Sequence, residues 1–402
     1  MKKIFIILAG IALLASCKTL TKTHIVQVNI DESKITSSVK PESYSVTIKN
    51  VVTQQEKNVT STKATAVIEG VYAGVYNVSI AGSATEDGIT KNYSGTVANV
   101  SVLADATVTV AAEVVEPALV FKEIYYTGCK YTAPGAEKES NYFKDQFYEI
   151  YNNSDNTIYV DGLCIGTVYN RTVNTSGYTY SLPEGEDVKD YVFTQYVWKV
   201  PGDGTQYPLQ PGESFVMAQQ ALNHTLDGNT YGKSLDLSKV EFEFISEEII
   251  ANGRCTDNPD VPNMLVGHKC GTNKTLQWLT SATGEYYVIW FPEKKIAPEN
   301  EITFDNGIST FPVYPIKKSD IIDAVEAGKD EASSKNKLYF SPLDDGYLFC
   351  PEGNYSFQSI ARKGETKNGR LVLVDTNNSN NDFEYKTDPQ LRRGGVGAPN
   401  WK

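Results

Sequence analysis

The chain has 402 residues, 41% apolar, 21% charged and 11% aromatic, a globular composition that excludes wholesale disorder and suggests two or three domains. It carries 25 Tyr against 3 His, 3 Met and 4 Trp, so it reads as β structure with little material for His-based catalysis or metal binding. A net charge of −12 argues against a nucleic-acid partner, whose phosphates call for an excess of Lys and Arg.

Lys2 and Lys3 precede an apolar run over residues 4–14, followed by Ala15, Ser16 and Cys17. At roughly 1.5 Å per residue the run is too short to span a bilayer as a helix. Small residues just before a Cys resemble the bacterial lipoprotein signal. That resemblance implies cleavage after residue 16, a thioether-linked diacylglycerol and an N-acyl chain on Cys17, and a tether over residues 17–23. An ordinary secretory signal with an incidental Cys is the alternative. Three acyl chains exceed what stable anchoring requires, so outer-membrane attachment is expected, with the cell surface preferred over the periplasm as the face. Residues 18–22 carry none of the acids that often mark surface export in Bacteroidetes lipoproteins. Removing the signal takes the net charge from −12 to −14.

Residues 24–116 show period-two alternation. Val26, Val28 and Ile30 alternate with Gln27 and Asn29, and Tyr44, Val46 and Ile48 with Ser45, Thr47 and Lys49. Short strands at this spacing indicate a small antiparallel β-sandwich. Ala73, Gly74, Val75 and Tyr76 resemble the Gly-turn-then-strand element of carboxypeptidase-regulatory-like and other Ig-like modules. Glu116 and Pro117 mark its end.

Residues 117–402 open on a strand at residues 119–126. Phe147, Tyr148, Glu149 and Ile150 then lead to the turn formers Asn152, Asn153, Ser154, Asp155 and Asn156, which suit a tight hairpin. Leu209, Gln210, Pro211, Gly212 and Glu213 make a turn before another strand, and Ser359, Ile360 and Arg362 precede Asp375, Thr376, Asn377 and Asn378. This order resembles lamin-tail-type domains, which implies an all-β chain of two antiparallel β-sandwich domains. The second would be an expanded lamin-tail-like sandwich with long inserts at 167–208 and 224–345, expected to decorate one end of it. Within the inserts, Ser319 or Asp320 caps a short helix whose apolar stripe is Ile321, Ile322 and Val325. The whole layout resembles a Bacteroidetes outer-membrane lipoprotein family often encoded beside TonB-dependent transporters.

Five cysteines follow the anchor: Cys129, Cys164, Cys255, Cys270 and Cys350. An odd number leaves at least one thiol free. Cys255 and Cys270 enclose a loop rich in Asn, Asp, Pro and Gly and are the expected disulfide; for the other three, buried reduced thiols acting as small hydrophobes are the alternative. No G-x-S-x-G elbow or C-x-x-C is present, and no catalytic residue is assigned. Asp375, Asn377 and Asp382 offer hard oxygen ligands to calcium without EF-hand spacing; Asx turns explain the same residues. Trp278, Tyr286, Tyr287 and Trp290 lie where a lamin-tail scaffold needs no core. They either pack the insert or form a recognition platform, and the platform is the expectation, on the 278–291 segment and around the 255–270 loop. The chain then reads as a non-catalytic binding lipoprotein with no cofactor beyond its lipid: an accessory capture or docking subunit of a TonB-dependent transporter. The alternatives are a structural or adhesive surface protein and, further off, a hydrolase.

Cys17→Ser is expected to abolish acyl labelling in growing cells and to release the protein from membranes. An unlabelled variant still held in the outer membrane contradicts the anchor.

Overall fold

The computed structural model describes residues 22–35, 40–86, 89–114, 119–132, 135–155, 157–169, 177–203, 206–225, 233–251, 253, 255–270, 281–292, 294–334, 343–367 and 369–401. Cys17 and Trp278 therefore lie outside the described residues. The chain divides into two compact units, with the boundary between Val115 and Glu116. It is an all-β protein with short helical turns and no closed barrel. Among the described residues no helix is long and apolar enough to cross a membrane.

The small unit is a two-sheet sandwich. One sheet runs Thr65–Tyr72, Thr23–Asp31, Ala106–Ala111; the other runs Glu56–Ser61, Tyr44–Asn50, Gly74–Glu86, Ile89–Val102, Glu113–Val114. Alternation decides which face each residue takes. Val26, Val28 and Ile30 point inward with Val46, Ile48, Ile68, Val78, Ile80 and Val110, while Gln27 is exposed and Asn29 half-buried. The sandwich is not purely antiparallel: Thr23–Asp31 and Ala106–Ala111 pair in parallel from Val26↔Ala106 to Asp31↔Ala111.

The large unit packs a six-stranded sheet against a nine-stranded one. The first is ordered Phe242–Glu243, Ser214–Ala218, Phe147–Asn152, Leu119–Tyr125, Ser359–Arg362, Phe383–Lys386. The second runs Thr179–Tyr180, Ile302–Asp305, Thr310–Lys317, Tyr191–Lys199, Cys164–Val168, Tyr286–Trp290, Ile321–Gly328, Leu348–Phe349, with Leu265–Lys269 also pairing with Tyr191–Lys199. Phe121, Ile124, Ile150, Phe215, Met217 and Ile360 meet Ile165, Trp198, Tyr287, Ile289 and Val325 in one core between them. A second core, with Cys164, Val168, Tyr286, Val288, Trp290 and Ala324, gathers residues that alternate with that set along the same strands.

Three expectations are corrected here. The segments 167–208 and 224–345 are not decoration, since they supply most strands of the nine-stranded sheet and a large part of the principal core. Residues 319–327 are not a helix: a 3-10 turn over Lys318–Asp320 leads into the strand Ile321–Gly328. Alternation explains the difference, because Val325 and Ala327 enter the core between the sheets while Ala324 enters the second core; tertiary burial outweighs local helical spacing. Phe147–Asn152 forms no hairpin with the segment after it. It pairs with Leu119–Tyr125 and Ser214–Ala218, and Ile158–Tyr159 pairs instead with Pro208–Leu209.

Tyr287 and Trp290 are fully buried on a strand paired on both sides. Tyr287→Ala and Trp290→Ala are each expected to cost about 3–5 kcal/mol, measured by urea unfolding. A loss below about 1 kcal/mol contradicts their place in the cores.

Candidate functional site

The three expected recognition aromatics that are described are core residues. Tyr286 and Trp290 fill the second core and Tyr287 the core between the sheets. Side chains on consecutive strand residues point to opposite faces, so a row of aromatics served two interiors. The 255–270 disulfide is also corrected: no bond joins Cys255 to Cys270. Cys255 packs against the core between the sheets while Cys270 belongs to the second core. Burial pushes the Cys270 thiol up to about 11.

The oxygens around Asp375 and Asp382 are engaged by protein donors. The buried Arg362 reaches from the six-stranded sheet: Nη2 donates to Asp323 Oδ2 at 2.6 Å and Nε to the Phe121 carbonyl at 2.8 Å. Its Nη1 lies 3.3 Å from Asp375, and its guanidinium stands over the Phe383 ring. Asp382 accepts from Thr376 N at 2.9 Å and Thr376 Oγ1 at 2.7 Å, and Asn377 N donates to Asp375 at 3.1 Å. Asn377 takes the left-handed backbone, φ 53°, which its short polar side chain tolerates. Arg362 is the cation of this loop, and it ties the two sheets together through Asp323. Among the described residues no group of three or more His, Cys, Asp and Glu is arranged to hold a metal ion.

His224 and Asp145 are also committed to structure. His224 is buried; its Nε2 lies 3.0 Å from the Gln220 carbonyl and its Nδ1 2.5 Å from the Tyr142 hydroxyl. Burial lowers its pKa to about 4, so the ring is neutral, Nε2–H donates to the carbonyl and Nδ1 accepts. Asp145 Oδ2 accepts from Tyr125 Oη at 3.0 Å and Ser234 Oγ at 2.8 Å, with Cys129 Sγ at 3.6 Å. Asp145 Oδ1 is buried with no hydrogen-bond partner among the described residues, and burial raises the carboxyl to about 6.

What sequence reasoning missed is the C-terminal segment over the outer face of the six-stranded sheet. Arg393 Nε donates to Glu123 Oε2 at 2.9 Å, Gln390 N to Glu123 Oε1 at 2.9 Å and Arg392 N to Glu149 Oε2 at 3.2 Å. Trp401 Nε1 donates to the Pro208 carbonyl at 2.7 Å, and its ring packs against Phe215 and Phe242. Carboxylates at positions 123 and 149 and arginines at 392 and 393, all in segments too short to be explained by their own neighbours, were the available signal.

One surface remains unexplained by folding. Leu265–Lys269 pairs, among the described strands, only with Tyr191–Lys199, and so forms an edge. The register shifts between Val197 and Trp198, where Gly267 lets the backbones approach: a Cβ there would sit 3.1 Å from Val197 Cγ1. Leu265 and Val266 are each 47% exposed on this strand, and Ile250, next to Ile249 in sequence, is exposed as well. A shallow cavity of about 20 Å³ lies between the strand and the short helix Glu247–Ala251, lined by Tyr196, Trp198, Ile249, Val266, His268 and Lys269 among others. That is room for about one water. Lys269 Nζ meets Glu248 Oε2 at 2.6 Å beside it. This edge falls within the segment 255–270 singled out from the sequence; the residues are others.

The fold is that of a two-unit β-sandwich protein, and this edge carries exposed apolar residues. A crystal structure of a DUF4876 family protein from Bacteroides thetaiotaomicron VPI-5482 is similar over 94% of this chain and 99% of that one, at 30% identity and TM-score 0.63. The model of the family described as "Protein of unknown function (DUF4876)" matches residues 210–390. The chain belongs to the DUF4876 family. A putative cell adhesion protein from Parabacteroides distasonis ATCC 8503 aligns over 74% of this chain and 85% of its own, at 11% identity and TM-score 0.19. The major pilin T-13 of Streptococcus pyogenes aligns over 45% of this chain and 93% of its own, at 10% identity and TM-score 0.13; neither superposes well enough to bear on function. No curated protein matches the chain.

The raised Asp145 pKa sets a pH dependence. A carboxyl raised on folding contributes stability that is complete below its unfolded pKa and lost as pH rises through about 6. Asp145→Asn leaves the accepting oxygen in place and sets its amide where Oδ1 had no partner. The variant is expected to be more stable than the parent by roughly 2–3 kcal/mol at pH 8 and to lose that advantage at pH 4, in urea melts. An advantage unchanged between the two pH values contradicts the assignment.

Proposed function

We propose that the protein is a non-catalytic, lipid-anchored binding protein of the outer membrane that docks a protein partner along the Leu265–Lys269 edge, as an accessory subunit of a TonB-dependent transporter. The edge carries the reading: consecutive exposed apolar residues, Leu265 and Val266, on a strand with one side unpaired among the described residues. An extended segment adds to such an edge through main-chain hydrogen bonds, with side chains supplying specificity. The adjoining cavity of about 20 Å³ is far below the roughly 300–1,000 Å³ that encloses a small organic ligand, which favours a macromolecule. The lipid anchor and the transporter rest on resemblance in sequence. An adhesive surface protein is the second reading, favoured by the same exposed strip; it differs in that its partner lies outside the cell.

Leu265→Lys and Val266→Lys together are expected to reduce recovery of a co-purifying envelope protein from detergent-solubilised membranes by roughly thirtyfold, the usual loss for an interface anchor, with melting temperature unchanged. Full recovery by the double variant overturns this site. Recovery lost only in step with melting makes these residues structural.

A further inference from the structure

The exposed apolar side chains of the small unit are not scattered. Its large hydrophobic residues exposed among the described positions are Ile25 43%, Val52 83%, Val67 53%, Tyr72 44%, Val75 37% and Leu103 75%. The register places all but Val67 at one end of the sandwich. Thr23 opposes Tyr72, Asn50 opposes Tyr76, Gly74 opposes Val102, and Val26 opposes Ala106. The turn at residues 51–55, the corner at Ala73 and the turn at residues 103–105 therefore share that end. Ile25 N donates to Asp105 Oδ1 at 2.9 Å and Val51 N to the Val75 carbonyl at 3.0 Å, which ties the turns together.

Folding does not call for Val and Leu at these tips. Asn50 Oδ1 already closes its turn by accepting from Val52 N and Thr53 N, both at 2.9 Å, so a polar side chain at 52 would serve the turn as well. The chain arrives at this end: Thr23 begins the first strand six residues after Cys17, a span of at most about 20 Å when extended. It leaves at the other end, where Ala112 N bonds the Asp31 carbonyl. Exposed charges at the arriving end are mixed, with Lys22 and Lys49 against Glu56 and Asp105, so electrostatic attraction to a charged headgroup is weak there.

We propose that this end of the small sandwich is a membrane-contact surface: Val52 and Leu103 insert at the boundary of the acyl chains, and Tyr72 lies at headgroup level. The proposal rests on Cys17 being lipidated, which brings this end to the bilayer. The occupant is a lipid surface because the tether holds these tips within reach of one. Apolar side chains and a Tyr are what an interfacial contact uses. The contact fixes the orientation of the first strand, which an anchor at Cys17 alone does not set.

The acylated protein, reconstituted in phosphatidylethanolamine and phosphatidylglycerol vesicles with brominated acyl chains, tests this. Val52→Trp and Leu103→Trp are expected to add emission that is blue-shifted and quenched, at low and high salt alike, while Thr62→Trp at the opposite end adds unquenched emission. Equal quenching at all three sites, or none at 52 and 103 in protein shown by mass to be acylated, overturns the contact and leaves the anchor standing. Mature protein carrying Cys17→Ser separates the two readings: co-flotation with the same vesicles is expected to fall about tenfold when Val52→Asp and Leu103→Asp are added, with melting unchanged. Self-association lost through those substitutions without vesicle binding assigns the end to a second copy and overturns the proposal.

Discussion

Two glutamates face each other across neighbouring strands in the middle of the large unit. Glu123 and Glu149 are paired positions, both fully buried, an arrangement that like charges oppose. The fold around them is organised by that conflict. Lys122 Nζ lies 3.2 Å from Glu149 Oε2, in a register irregularity that places three charged residues on two strands. Ser214 and Ser359 donate to one carboxylate each. The chain's last residues come back to deliver Arg393 to Glu123 and Arg392 to Glu241. Removing either partner of such a pair leaves a charge stranded out of water, which costs more than the intact pair contributes. The C-terminal segment therefore covers the buried glutamates from the outer face of the sheet.

The same device recurs between the sheets. Arg362 binds Asp323 from the facing sheet and a carbonyl of its own neighbour strand, so the two layers are fixed in register as well as in contact. Ionic links at the sheet faces accompany an apolar core that is otherwise continuous from Phe121 to Val325. A non-directional core tolerates sliding; a guanidinium held by two directional hydrogen bonds to different strands does not.

Legibility from sequence followed burial geometry. In the small unit each strand has one wet face, so Val26, Val28 and Ile30 announced their strand by alternation. In the large unit Leu119–Tyr125 and Tyr286–Trp290 are buried on both faces, and a continuous apolar run carries no period to read. Ile321–Gly328 looked helical for that reason, and Tyr286, Tyr287 and Trp290 looked surplus because the sheet that needs them is assembled from distant segments. The edge at Leu265 was legible only as a neighbourhood: its groove draws Tyr196 and Trp198, Ile249, and Val266 from three separated stretches. The expected lipidation motif at Cys17 is the opposite case, because the lipoprotein resemblance rests on a few adjacent residues alone.

The parallel pairing of Thr23–Asp31 with Ala106–Ala111 has a mechanical consequence. The first strand begins at one end of the small unit and Ala106–Ala111 finishes at the other. A pull on the chain where it arrives, resisted where it leaves, drags these two neighbours past each other lengthwise. Every rung between Val26↔Ala106 and Asp31↔Ala111 then bears load at the same moment. A hairpin pulled at its open end parts one rung after another, under far smaller force. Pulled in that direction, this pair yields by shear and not by peeling.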